Sequence, residues 1–174
     1  MSLQPLISEF SINAWVYAQI PLFGFMENEA GSDVIGRLGG IDLNQDGRII
    51  NLVVVGSSRF YDYGVVEDAM DKWTSDEAHP DLVITGGASG VDYLAERWAD
   101  NHNVQYAVFS EEWNAPRSGL EDDGREEAPT SLTNQLLEAA THVLAFPSPT
   151  SKWTHVVIAM AEAMDIPVKV IDIE

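Results

Sequence analysis

The chain has 174 residues, 45% of them hydrophobic, enough for one compact domain with a sizeable core and too few for a second full one. Against nine Lys and Arg stand 28 Asp and Glu, a formal charge of -19 that repels a nucleic-acid backbone and excludes general nucleic-acid binding. Cysteine is absent, which excludes disulfides, thiolate catalysis and Cys-ligated metals.

The carboxylates are spread along the whole chain, and only three of the basic residues are Lys. That pattern resembles proteins of salt-loving microbes, where strong salt screens self-repulsion. An ordinary acidic protein kept soluble by its charge is the alternative.

Residues 1–50 have an apolar first half and a Gly-rich second half without internal repeats. They are expected to form an appendage on the domain or a homo-oligomer contact, with the domain proper at 51–174. The apolar run 10–25 is interrupted by Asn13, Gln19 and Pro21, and no Lys or Arg precedes Arg37. It has neither the basic flank of a signal peptide nor the length of a membrane span, so no membrane association and a cytoplasmic location are expected. Residues 42–49 reproduce the first eight positions of a calcium loop, but the twelfth, where a bidentate carboxylate belongs, is Val53. An Asp46-Gly47 hairpin turn leading into the sheet is the expectation instead.

From residue 51 onward, short apolar runs alternate with helical patterns, as in βαβ units around a parallel sheet. Residues 52–55 form a continuous apolar run ending at Gly56, as expected for a strand buried on both faces. Val66, Ala69, Met70 and Trp73 then recur at helical spacing. A second strand at 82–85 is closed by Gly86-Gly87-Ala88-Ser89-Gly90, and Val91, Leu94, Ala95, Trp98 and Ala99 make an unbroken helical stripe. Residues 104–109 read as a third strand, followed by a polar surface excursion over 111–130. A helix near 131–140 leads to a fourth strand at 142–146 and a loop over 147–151. Thr154 is expected to cap the next helix, whose face is Val157, Met160, Ala161 and Met164, and residues 167–173 close the domain as a fifth strand.

Right-handed crossovers make an α/β fold with a Rossmann-like, doubly wound parallel sheet of order 3-2-1-4-5 the economical topology. Ligands of such sheets bind beyond the carboxyl ends of the strands, near the reversal of strand order between the first strand and the fourth. Three loops meet that description: Gly56-Ser57-Ser58-Arg59, Gly86 to Gly90, and Pro147 to Thr154. All are rich in small polar residues and precede helices, so amides and helix N-termini would converge there on an anion. Arg59 and Lys152 supply positive charge in a chain that has little of it. Each glycine taken alone is as well explained by a tight turn. No Walker A loop or dinucleotide fingerprint is present.

The string Val53-Val54-Val55-Gly56-Ser57-Ser58-Arg59, with Thr85-Gly86-Gly87-Ala88-Ser89-Gly90-Val91-Asp92, resembles the YspA-like branch of the SLOG superfamily over about residues 52–171. The resemblance implies a Rossmann-like fold that binds a nucleotide or nucleotide-derived phosphorylated ligand. It carries binding roles onto Gly56, Ser57, Arg59, Gly86, Gly87, Gly90 and Asp92. It also suggests Trp113 as a stacking residue, with core capping as the alternative, and Asn134 as half of a pair that usually opens with Arg, replaced here by Thr133. Where relatives often have a glycine-rich turn, this chain has Pro147-Ser148-Pro149-Thr150-Ser151-Lys152-Trp153-Thr154, with Trp153 in space a glycine leaves open. Phosphohydrolase relatives carry a Glu three residues after that Thr; here the position is Val157.

Binding is therefore expected ahead of hydrolysis. Asp92 and Glu96 are the candidate catalytic residues should a nucleotide-processing hydrolase, acting at an N-glycosidic or phosphate bond, be the better description, although an Asp at a helix start commonly serves the helix dipole. A protein-interaction module with a vestigial crevice is the third possibility. No cofactor is assigned. The histidines at 79, 102, 142 and 155 have no metal-ligand spacing, and no metal is expected; His155, beside Thr154, reads most simply as a solvent-facing residue. No serine-hydrolase elbow is present.

Overall fold

The computed structural model describes residues 30–109 and 129–173, and the compact unit Gly31–Glu174 contains all its regular elements. In chain order these are α1 (Gly31–Leu38), β1 (Asn51–Gly56), α2 (Tyr63–Asp76), β2 (Leu82–Thr85), α3 (Val91–Asn101), β3 (Gln105–Val108), α4 (Pro129–Ala139), β4 (His142–Phe146), α5 (Lys152–Ala163) and β5 (Val168–Val170). The five strands form one sheet in the order β3-β2-β1-β4-β5, every pairing parallel. The expected architecture is therefore the observed one.

β1 lies at the centre, and all six of its residues are buried. Its continuous apolar run follows from having helices on both faces. Leu52 and Val54 point into a cluster with Val66, Met70 and Trp73 of α2 and Val91, Leu94 and Trp98 of α3. Val53 and Val55 point the other way, to Val34 of α1, Leu136 and Leu137 of α4, and Val157 and Ala161 of α5. Each such side chain contributes roughly 1.5–3 kcal/mol by leaving water. Trp98 satisfies its buried ring through an indole N–H bond to Asp71 Oδ1 at 2.9 Å and stacks on His102 with centroids 4.3 Å apart.

The amino end of the sheet is closed by side chains. Asp81 accepts from the backbone N–H of Asn44 and of Ile50, both at 2.8 Å, and Asn51 Nδ2 donates to Gly39 O at 2.6 Å and Ala139 O at 3.1 Å. Two expectations fail here for local reasons. Helix α1 is not visible in the periodicity, because eight residues holding Gly31 and Gly36 give one short stripe of Val34, Ile35 and Leu38. The Asp46-Gly47 turn is not a hairpin, since β1 has only parallel neighbours. Instead Asp42 folds the loop on itself, accepting from Gly47 N at 2.8 Å and Asp46 N at 3.2 Å. Asn44, the third position of the calcium-like pattern, spends its side chain on His79 O and Pro80 O. Among the described residues no cluster of three potential metal-ligating His, Cys, Asp or Glu exists, and no helix is long and apolar enough to cross a membrane. Trp113, the apolar run 10–25 and the polar excursion up to residue 128 lie outside the described residues, while Pro129 and Thr130, expected in the excursion, open α4.

Candidate ligand crevice

The loop after β1 is tied to both sides of the strand-order reversal through one residue. Ser57 N–H donates to Phe146 O at the end of β4 (3.1 Å), while Ser57 O accepts from Val91 N at the start of α3 (3.0 Å). Ser57 Oγ accepts from Arg59 N at 3.2 Å, and Ser89 Oγ donates to Ser58 O at 2.9 Å. The loops after β1 and β2 thus form one bonded unit. Gly90 makes that contact possible: its φ is +73°, and a Cβ there would overlap Ser57 O and stand 2.5 Å from the Ser58 carbonyl carbon. Gly56 is similarly enclosed, by Phe146 O and the Val91 side chain.

Asp92, fully buried in the first turn of α3, organises the glycine-rich turn from beneath. Its Oδ2 accepts from Gly86 N and Ala88 N, each at 3.2 Å. Those two amides, expected to face a ligand, are thereby engaged by the protein itself. Among the described residues no acceptor meets the N–H of Ser58 or Gly87. One helical turn beyond Asp92, Glu96 Oε2 accepts from Thr85 Oγ1 at 2.7 Å. Burial raises the Glu96 pKa above its ordinary value, and the Thr85 hydroxyl bond offsets part of that. Thr85 was not among the expected site residues; its place as the last strand residue before Gly86 was the available clue.

The loop after β4 is closed by hydroxyls. Ser148 N donates to Ser151 Oγ at 3.0 Å, the two Oγ atoms are 2.8 Å apart, and Lys152 N donates to Thr150 O at 3.0 Å. Pro147 is buried, its carbonyl accepting from Ile173 N at 3.1 Å. This closure starts α5 at Lys152, so Thr154 is not the N-cap but a buried residue of the first turn. The cap position belongs to Ser151, whose hydroxyl is turned back to Ser148 and caps no amide of α5. Gly90, at the cap of α3, has no side chain to offer. Both helices therefore begin beside β1 without a side-chain cap, although Asp92 places a carboxylate in the first turn of α3.

Arg59, Lys152, Asn134 and His155 are all exposed. Thr133, completely buried in α4, accepts from the indole N–H of Trp153 at 2.8 Å. Thr133 and Trp153 are thus hydrogen-bonded to each other, a relationship that sequence spacing did not disclose.

Residues 50–115, from the entry to β1 through β3 and past it, match the model of the family described as YspA, cpYpsA-related SLOG family. This match supports membership of the SLOG superfamily. The matched SLOG segment holds the Gly56 to Arg59 and Gly86 to Asp92 loops, and stops short of the loop after β4. No curated protein matches the chain.

Proposed function

We propose that this protein binds or senses a nucleotide or nucleotide-derived phosphorylated ligand at the carboxyl ends of β1, β2 and β4. The observation that carries the reading is the position of Ser57, bonded at once to the end of β4 and the start of α3, between two helices that lack side-chain caps. An anion seated there receives backbone N–H groups without any reorganisation of the loops. Arg59 offers a charge-assisted bond, and Lys152 a second positive charge. Asp92 serves as the internal support of the turn, and the exposed Asn134 is a further candidate contact.

The test is a thermal-shift and calorimetric panel of nucleoside mono-, di- and triphosphates, cyclic nucleotides and dinucleotides at low and high salt. Saturating ligand at about 100 times Kd adds roughly 2.7 kcal/mol to stability, easily read as a shifted midpoint. Arg59→Ala is expected to weaken binding about tenfold or more. Silence across the whole panel would point instead to a protein-interaction module.

A second reading, hydrolysis of the ligand, has one observation in its favour. Glu96, held by Thr85 just beneath the β2 turn, has its pKa raised by burial, the direction expected of a carboxyl that acts as a general acid. Release of free base or inorganic phosphate from the same nucleotides, abolished by Glu96→Gln while binding persists, would establish that reading in place of simple binding.

A further inference from the structure

Helix α5 carries apolar residues on both its sides. Thr154, Val157 and Ala161 are buried in the fold. Val156, Ala159 and Ala163 recur at helical spacing on the other side, all three exposed, with Met160 half-buried beside them. Val156 is 42% exposed, and Met164, expected on the core face, 47%. Val170 of the edge strand β5, on the same face of the sheet as Val168, is 39% exposed. Residues 152–161 contain no Asp or Glu, although the chain has 28 of them. Helices α2 and α3, by contrast, turn Asp68, Asp71, Asp76 and Asp100 to solvent. The charges around α5 are sorted along its axis. Lys152 and His155 stand at its start, Glu162 near its end and Asp165 just past it, all exposed.

We propose that this face of α5 pairs with the same face of a second copy, the two helices antiparallel about a twofold axis near Ala159. Charge selects the partner. Two copies at -19 each repel wherever carboxylates meet, and α5 is a surface on which apolar groups close without setting carboxylates against one another. A strongly basic partner would be drawn instead to the acidic faces of α2 and α3. The sorting of charge along α5 is self-complementary in the antiparallel sense. The twofold sets the His155 end of each helix against the Glu162 end of the other, so both contacts are made twice. Twelve residues of helix span about 18 Å, too short to supply alone the roughly 800 Å² per partner of a standard interface. The dimer is accordingly a weak, reversible one that forms in the micromolar range. It is independent of the crevice reading.

The experiment is sedimentation equilibrium of the full chain from about 1 µM to about 1 mM. Wild type is expected to dimerise reversibly, and more tightly as sodium chloride rises from about 0.1 M to 1 M, because screening relieves the repulsion between copies. Ala159→Glu, which brings two carboxylates together at the axis, is expected to weaken association at least tenfold. His155→Glu and Glu162→Lys each weaken it severalfold at the lower salt. Mixed in equal amounts, those two variants are expected to associate better than either alone, since each new side chain then meets an opposite charge on the other chain. All three positions are exposed, so the monomer loses little stability, and thermal unfolding checks that each variant is folded. A wild-type chain that is monomeric throughout overturns the pairing and leaves the face to a different partner. A dimer whose affinity Ala159→Glu does not change overturns it as well, because association then runs through another surface. If the mixed variants show no recovery, the antiparallel arrangement is wrong.

Discussion

Asp92 and Gly86 meet through a carboxylate–amide hydrogen bond of 3.2 Å that spans the turn closing β2, and the same oxygen takes the Ala88 amide at equal length. A carboxylate buried for this purpose is costly to remove, because the amides it serves are buried too. Asp92→Ala is expected to lose about 2–4 kcal/mol in urea unfolding, and Asp92→Asn, which keeps an acceptor oxygen, clearly less. Hydrogen exchange should localise the loosening to residues 86–90. A uniform loss of protection over the sheet would mean that Asp92 supports the whole fold and not this turn.

Gly90 and Gly47 both have positive φ, +73° and +85°, but only Gly90 is enclosed. Gly47→Ala meets open space, so it costs only the backbone strain of a left-handed residue, about 1–2 kcal/mol. Gly90→Ala adds overlap with Ser57 and Ser58 and is expected to cost at least about 3 kcal/mol, with loss of ligand response. Paired denaturation curves of the two variants read the difference directly.

For Glu96 the folded pKa is raised, first by burial and in spite of the Thr85 bond. Its contribution to stability is complete below the unfolded value near 4.5 and is lost as pH rises through the higher folded value. Glu96→Gln removes that loss. Thermal midpoints measured from pH 4 to pH 8 should therefore show the variant gaining on wild type as pH rises. A gap that stays constant, or widens toward acid, would mean that Glu96 is stabilised as a carboxylate.

A formal charge of -19 on one domain is self-repulsive. Raising sodium chloride from about 0.1 M to 1 M shortens the screening length from roughly 10 Å to 3 Å, so the thermal midpoint is expected to climb steadily by several degrees. Sodium chloride and potassium chloride should act alike if screening is the cause. The same salt weakens the contact of Arg59 with an anion, so ligand affinity and protein stability move in opposite directions along this series.

The fold was legible because burial on both faces writes β1 as Leu52, Val53, Val54 and Val55 without a polar interruption, and because α3 carries an unbroken stripe from Val91 to Ala99. The crevice loops were legible for a related reason: Gly56 and Gly90 stand where backbones touch. What spacing did not convey was which hydrogen bonds the loops spend on themselves. Asp92 reads as a ligand contact until its carboxylate is found under Gly86 and Ala88, and Thr154 reads as a cap until Ser148 and Ser151 close the loop early. Thr133 and Trp153 are 20 residues apart, and only the approach of α4 to α5 makes them partners.

The pairing of β1 with β4 has a consequence for how the protein is made. β1 acquires its first neighbour, β2, after some 30 residues of further chain, but its second only when residues 142–146 have been synthesised. Until then the ribosome would display a three-stranded arrangement whose bare edge is β1, every residue of which is buried in the finished fold, an open template for pairing with another nascent chain. Ser57 cannot reach Phe146 in that interval, so the crevice is completed last. A chain halted before β4 would hold the whole of the family-matching segment and would be expected to aggregate, whereas the finished chain has no such edge at its centre.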